Sequence, residues 1–124
     1  MRVIDKKISA MISEGLNGKT FDRKITKRDR VVSNGEGQVS VFLWGTEIAS
    51  FDAKANEITV KSGQYRTVTT KSRMNALLCD WAKGTPSISQ RNWVWYVWTT
   101  CPLTKDQKSK EFQGVASFPL KVWR

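Results

Sequence analysis

The sequence predicts an α+β fold: a single antiparallel β-sheet of about five to six strands with two short helices, one of them packed on the sheet. Three observations carry that expectation. Two segments repeat apolar residues at helical spacing, several segments alternate apolar and polar residues with period two, and most connections between them are short and marked by Gly, Asn or Pro. A chain of 124 residues suits one domain over 1–124, and 40% hydrophobic content is enough to fold without staples.

Residues 3–14 read as the first helix, because Ile4, Ile8, Met11 and Ile12 fall on one stripe, with Asp5 in the first turn and Gly15 able to end it. Asn17-Gly18 marks a turn. Residues 21–32 mix Phe21, Ile25, Val31 and Val32 with five cations and read as a strand or extended arm. Asn34-Gly35-Glu36-Gly37 reverses the chain. Val39, Val41 and Leu43 alternate with Ser40, Phe42 and Trp44 as a strand. Gly45-Thr46 offers a tight turn, 48–51 and 58–60 give two more strands, and 65–69 reads as another.

Met74, Leu77, Leu78 and Trp81 form the stripe of a second helix, which Thr70 can cap and Gly84 can follow. Residues 87–99, after Pro86, are β-branched and aromatic and give the strongest strand expectation. A polar, basic loop is expected over 104–110. A last strand is expected within 111–123, with Pro119 restricting it to an edge or an end.

Charge then narrows the partner. There are 21 Lys and Arg against 11 Asp and Glu, a formal net charge of +10, and six tryptophans. Such a field attracts anions, and aromatic faces stack on bases. Nucleic acid, DNA or RNA, is the first expected partner. No apolar run approaches 18 residues, so no membrane partner is expected. No secretion signal is visible, because Lys6 and Lys7 interrupt the N-terminal apolar residues. Cys79 and Cys101 read as two lone thiols of an intracellular chain, small and buried.

Catalysis is not expected. The chain has no histidine, and its carboxylates are scattered. Two distant cysteines do not make a zinc set, so neither metal nor cofactor is expected. Gly18-Lys19-Thr20 imitates the end of a phosphate-binding loop, but Ser13 stands where the earlier glycine belongs and a helix precedes it.

Three groups are candidates for binding. The densest cationic stretch supplies Arg23, Lys24, Lys27, Arg28 and Arg30 as phosphate contacts, unless it is only a solvated face. The run Ser62-Gly63-Gln64-Tyr65-Arg66-Thr67-Val68-Thr69-Thr70-Lys71-Ser72-Arg73 places a helix start among hydroxyls. Arg66, Lys71 and Arg73 would hold a phosphate there; alternatively the cations are simply screened. The run Trp93-Val94-Trp95-Tyr96-Val97-Trp98 carries aromatics on both faces of a strand, Trp93 and Trp95 on one and Tyr96 and Trp98 on the other. It is a strand buried on both sides, a stacking platform or a protein-binding patch.

The chain resembles a loose group of small proteins encoded by tailed bacteriophages. The resemblance covers about residues 17–98. It rests on Leu43-Trp44-Gly45-Thr46-Glu47-Ile48-Ala49, on Gly63-Gln64-Tyr65-Arg66-Thr67-Val68-Thr69-Thr70-Lys71-Ser72-Arg73-Met74-Asn75, and on Gln90-Arg91-Asn92-Trp93-Val94-Trp95. Tyr65 stands where the group often has tryptophan. The resemblance implies a phage accessory protein acting in the cytoplasm of the infected bacterium, and it transfers no activity. Two roles follow: a non-catalytic nucleic-acid binder, or an inhibitor of a host nucleic-acid enzyme or anti-phage defence complex, whose partner would be a protein. Oligomeric state is left open.

Overall fold

The computed structural model describes residues 3–62, 67–84, 86–100 and 106–121. The chain runs α1 (Val3–Leu16), β1 (Thr20–Lys24), β2 (Asp29–Asn34), β3 (Gln38–Leu43), β4 (Thr46–Asp52), β5 (Glu57–Lys61), α2 (Val68–Trp81), β6 (Ser87–Arg91), β7 (Val94–Thr100), β8 (Gln107–Glu111) and β9 (Val115–Pro119). The α+β class is as the sequence predicts. The strands form two antiparallel sheets rather than one: six strands in the order β1-β2-β3-β4-β5-β9, and three in the order β6-β7-β8.

Alternation explains the large sheet. Val31, Val39, Val41, Leu43, Phe51, Ile58 and Val60 all point to one face and are buried there. Both helices cover that face, not one as expected. Ile8, Ile12 and Leu16 of α1 join Met74, Leu77, Leu78 and Trp81 of α2 in the same core. Each such side chain contributes about 1.5–3 kcal/mol on burial. Trp81 meets Phe51 edge to face, centroids 5.9 Å apart, a geometry aromatic pairs prefer. Gly15 does not end α1 but lets it lie close on the sheet: a Cβ there would sit 2.6 Å from Val39 Cγ2. Gly18, at φ 100°, follows the helix end.

The second sheet is fastened to α2 by one side chain. The Ile88 backbone N–H donates to Asn75 Oδ1 at 2.7 Å, and Asn75 Nδ2 donates to the Ile88 carbonyl at 2.9 Å. The amide thereby serves edge strand β6 as a neighbouring strand would. Ile88, Trp95, Val97 and Phe112 close the core beneath this sheet.

Several boundaries differ from expectation. Residues 21–32 are two strands joined by a turn, not one arm. Of the strand expected over 65–69, Val68 and Thr69 are helical and Thr67 is the N-cap, a role expected of Thr70; Tyr65 and Arg66 lie outside the described residues. Residues 87–99 are two strands of a hairpin. Residues 107–110, expected as loop, pair with β7 as part of β8. The last strand ends at Pro119 and is an edge strand, as the proline requires. Cys79 is exposed on α2 rather than buried, and Cys101 lies outside the described residues.

Candidate nucleic-acid interface

The cationic cluster lies at the β1–β2 hairpin. Arg23, Lys24, Lys27, Arg28 and Arg30 are all exposed. The turn that presents Lys27 and Arg28 is held from inside. The backbone N–H groups of Arg28 and Asp29 donate to Thr26 Oγ1 at 3.0 and 3.1 Å, and that hydroxyl donates to Asp29 Oδ2 at 2.7 Å. Two of the five cations are partly engaged. Arg30 Nε donates to Asp22 Oδ1 at 2.7 Å and its Nη2 pairs with Oδ2, while the guanidinium lies 5.7 Å from the Phe42 centroid. The hydrogen bond and charge of Arg30 hold the Asp22 carboxyl below the usual carboxylate range. Arg23 lies over Phe21, 5.4 Å from the centroid. Lys24, Lys27 and Arg28 make no ion pair among the described residues.

Arg73 requires a correction. It was expected to hold a phosphate, but it is 2% exposed and occupied by carboxylates. Its Nε donates to Asp29 Oδ1 at 2.8 Å, its Nη2 lies 3.4 Å from Asp29 Oδ2, and its Nη1 lies 3.5 Å from Asp5 Oδ1. A guanidinium removed from water must be paired, and two buried carboxylates supply the countercharge. Burial alone would raise the Asp29 pKa. The hydrogen bonds from Arg73 and Thr26 and the charge of Arg73 outweigh it and hold that carboxyl below its ordinary value.

The basic-looking run at the helix start is therefore largely structural. Thr67 caps α2 by accepting from the Thr70 N–H at 3.1 Å. Arg73 anchors the β1–β2 turn, Met74 is in the core, and Asn75 fastens β6. Lys71 is half-buried in the first turn and is the only described cation of that set with a path to solvent; Arg66 lies outside the described residues.

The aromatic run splits. Trp95, 1% exposed, and Val97 turn inward, so Trp95 is a core residue and not a stacking surface. Val94, Tyr96 and Trp98 face the other way on the middle strand of the small sheet. Tyr96 is half-buried and Trp98 is 38% exposed. Trp98 Nε1 donates to Ser89 Oγ at 2.6 Å, which lays the indole across β6. Arg91, Asn92, Tyr96 and Trp98 border a cleft of about 520 Å³ on this face.

Trp93 is not in the strand at all. Arg91 pairs with Val94, so Asn92 and Trp93 form a two-residue hairpin turn with φ of 51° and 68°. Both central residues of such a turn need positive φ, which suits Asn and Gly. Tryptophan there costs about 1–2 kcal/mol relative to right-handed backbone, and the side chain is 89% exposed.

Trp44 repeats the pattern and was missed from the sequence. It sits at the β3–β4 tip with Gly45, at φ 53° and 79°, and is 67% exposed. Its backbone N–H donates to the Arg28 carbonyl at 2.8 Å, which places the β3–β4 tip beside the basic turn. The available signal was its position directly before Gly45-Thr46, a tight turn that forces the preceding side chain outward. Arg91, on the Tyr96 face, was also missed; an isolated cation carries no pattern.

Among the described residues no three His, Cys, Asp or Glu side chains gather as a metal site. No helix among them is long and apolar enough to cross a membrane.

The fold and these surfaces define a small α+β protein whose distinguishing chemistry is displayed outward, on hairpin tips and one sheet face. The chain belongs to the bacteriophage family described as Kyanoviridae Gp96 protein, whose profile matches residues 1–118. No curated protein and no solved structure matches it significantly.

Proposed function

We propose that this phage protein binds nucleic acid in the cytoplasm of the infected cell without catalysing a reaction on it. One observation carries the reading: its described tryptophans divide into a buried pair, Trp81 and Trp95, and an exposed trio, Trp44, Trp93 and Trp98. Folding rewards the first group and not the second. Two of the exposed three also hold a backbone conformation unfavourable to them. Lys24, Lys27 and Arg28 serve as phosphate contacts, with Arg23 and Arg30 contributing less because each is already engaged. Tyr96 and Trp98 serve as a stacking surface beside Arg91, and Trp93 and Trp44 as projecting rings.

The test is fluorescence anisotropy of a labelled single-stranded oligonucleotide across salt concentrations. Neutralising three to five phosphates at about 0.7 each gives a slope of log affinity against log salt of about −2 to −3.5. Undetectable binding, or affinity indifferent to salt, contradicts the reading.

A second reading is favoured by Trp93 alone. A single, nearly fully exposed indole on a hairpin tip is the kind of anchor that fills a pocket on a protein. In that case the partner is a host nucleic-acid enzyme or defence complex. Capture from host lysate with and without nuclease separates the two: a stoichiometric protein that survives nuclease and is lost with Trp93→Ala supports the second reading.

A further inference from the structure

We propose that the outer face of the small sheet holds two consecutive nucleotides of an unpaired strand, with their phosphates on the β6 side and their base edges toward β8. The proposal rests on the nucleic-acid reading and fixes strandedness and placement within it.

The aromatic spacing sets the strandedness. Tyr96 and Trp98 are alternate residues of β7 on one face, so their Cα atoms lie about 6.5 Å apart. Successive bases of a duplex rise by only about 3.4 Å. Two neighbouring duplex bases therefore cannot take one ring each, and they already cover each other's faces. An unpaired strand can open to that span and offer its base faces. The Trp98 ring is prepared for such a contact: Ser89 holds its N–H, and the residue stays 38% exposed.

Charge sets the placement. The face carries a cation on β6 and an anion on β8. Arg91, on β6, borders one cleft with Tyr96, Trp98 and Ser109. Glu111, on β8, stands directly opposite Tyr96, which sets their Cβ atoms about 4.5–5.5 Å apart. Neither charge is ion-paired among the described residues. A phosphate is drawn to the Arg91 guanidinium and repelled by the Glu111 carboxylate. The backbone of the strand therefore follows β6, and the bases reach across Tyr96 and Trp98 toward Glu111 and Ser109. A carboxylate only accepts hydrogen bonds. Cytosine presents its N4 amine where thymine presents the acceptor O4, so the Tyr96 row favours cytosine.

The experiment titrates four labelled probes of equal length: a mixed-sequence single strand, the corresponding duplex, oligo(dC) and oligo(dT). Each meets the wild-type protein, Trp98→Ala, Arg91→Ala, Glu111→Gln and the double variant Lys27→Ala with Arg28→Ala, with folding checked by circular dichroism. The single strand should bind at least about 10-fold more tightly than the duplex, the effect of one ring contact. Trp98→Ala should weaken the single strand about 5- to 100-fold. Arg91→Ala should lower the slope of log affinity against log salt by about 0.7, one phosphate, and leave the dC-to-dT ratio intact. Wild type should prefer oligo(dC) by about 3- to 10-fold. Glu111→Gln, whose amide both accepts and donates, should abolish that preference. A duplex that binds as well as the single strand, an unchanged slope in Arg91→Ala, or a dC preference absent from wild type or retained in Glu111→Gln overturns the placement. If Trp98→Ala, Arg91→Ala and Glu111→Gln are all silent while Lys27→Ala with Arg28→Ala weakens binding, this site is overturned and the broader reading stands. If no probe binds, both are overturned.

Discussion

The two sheets each turn one face to solvent, and they furnish it differently. Across the large sheet the register aligns Ser40, Ser50, Thr59 and Ser117 in a row, with Thr59 and Ser117 bonded at 2.8 Å. Small hydroxyls dominate this row, which Val32 enters from β2 and which Val115 flanks on β9. Across the small sheet the equivalent rows centre on aromatics: Ser89, Tyr96 and Glu111 in one, Ser87, Trp98 and Ser109 in the next. The Trp98 indole is held by the Ser89 hydroxyl, so little of its rotamer freedom remains to be lost on contact. The two solvent faces of one chain thus differ in their central rows. Small polar side chains suit a solvated face, and on the reading proposed above a flat partner contacts the other.

The largest effect expected on either side of this comparison is in the buried ion cluster. Arg73→Ala leaves Asp5 and Asp29 buried without countercharge, a loss of about 3–5 kcal/mol. Thermal unfolding should shift down by roughly 10–20 °C; an unchanged Tm would show that the cluster does not hold the hairpin. The same cluster sets acid sensitivity. The folded pKa of Asp29 is below its unfolded value, so its stabilisation is present above the ordinary carboxylate range. It is lost as pH falls through the folded value, and an acid titration of stability should be shallower in Asp29→Asn than in wild type.

Asn75→Ala separates the sheets next. Losing both bonds to Ile88 costs about 1–3 kcal/mol. Hydrogen exchange should accelerate in β6, β7 and β8 while β2, β3 and β4 keep their protection. Uniform acceleration would mean that the small sheet has no independence.

Tyr96→Ala with Trp98→Ala tests the faces themselves. Each lost ring contact should weaken oligonucleotide binding by about 1–3 kcal/mol, whereas Ser40→Ala with Ser50→Ala, on the hydroxyl face, should change it by less than about 0.5 kcal/mol. Equal effects would erase the contrast.

The smallest expected effect has the most telling sign. Trp93→Gly relieves about 1–2 kcal/mol of left-handed strain and gives back about 0.5–1 kcal/mol of backbone entropy. The variant should be more stable than wild type by about 0.5–1 kcal/mol and bind its partner less well. A loss of stability would mean that the ring supports the fold.

Legibility from sequence follows range. The alternation of Val39, Val41 and Leu43 and the stripe of Met74, Leu77, Leu78 and Trp81 are local periodicities, and both elements form where those patterns place them. The fate of Arg73 depends on Asp29, 44 residues away, and no local pattern announces that pairing. The β6–β7 turn was hidden because Asn92-Trp93 replaces the Asn-Gly that marks such hairpins. Strand β8 carries no apolar alternation, since all five residues are exposed and only pairing with β7 defines it. Of the candidate site, the cationic stretch and the separation of Tyr96 and Trp98 from Trp95 were readable, whereas the hairpin in that stretch and the outward face of the aromatic strand were not, because both depend on pairing between strands. Trp44 joined them only through the register that sets Asp29 opposite Leu43.

The division of the tryptophans can be read directly. Each of the six indoles gives its own Nε1–H resonance in a proton–nitrogen spectrum, and a short single-stranded oligonucleotide can be titrated against them. The resonances of Trp44, Trp93 and Trp98 should move with saturation while those of Trp81 and Trp95 stay in place. A titration in which the exposed three remain still contradicts the account.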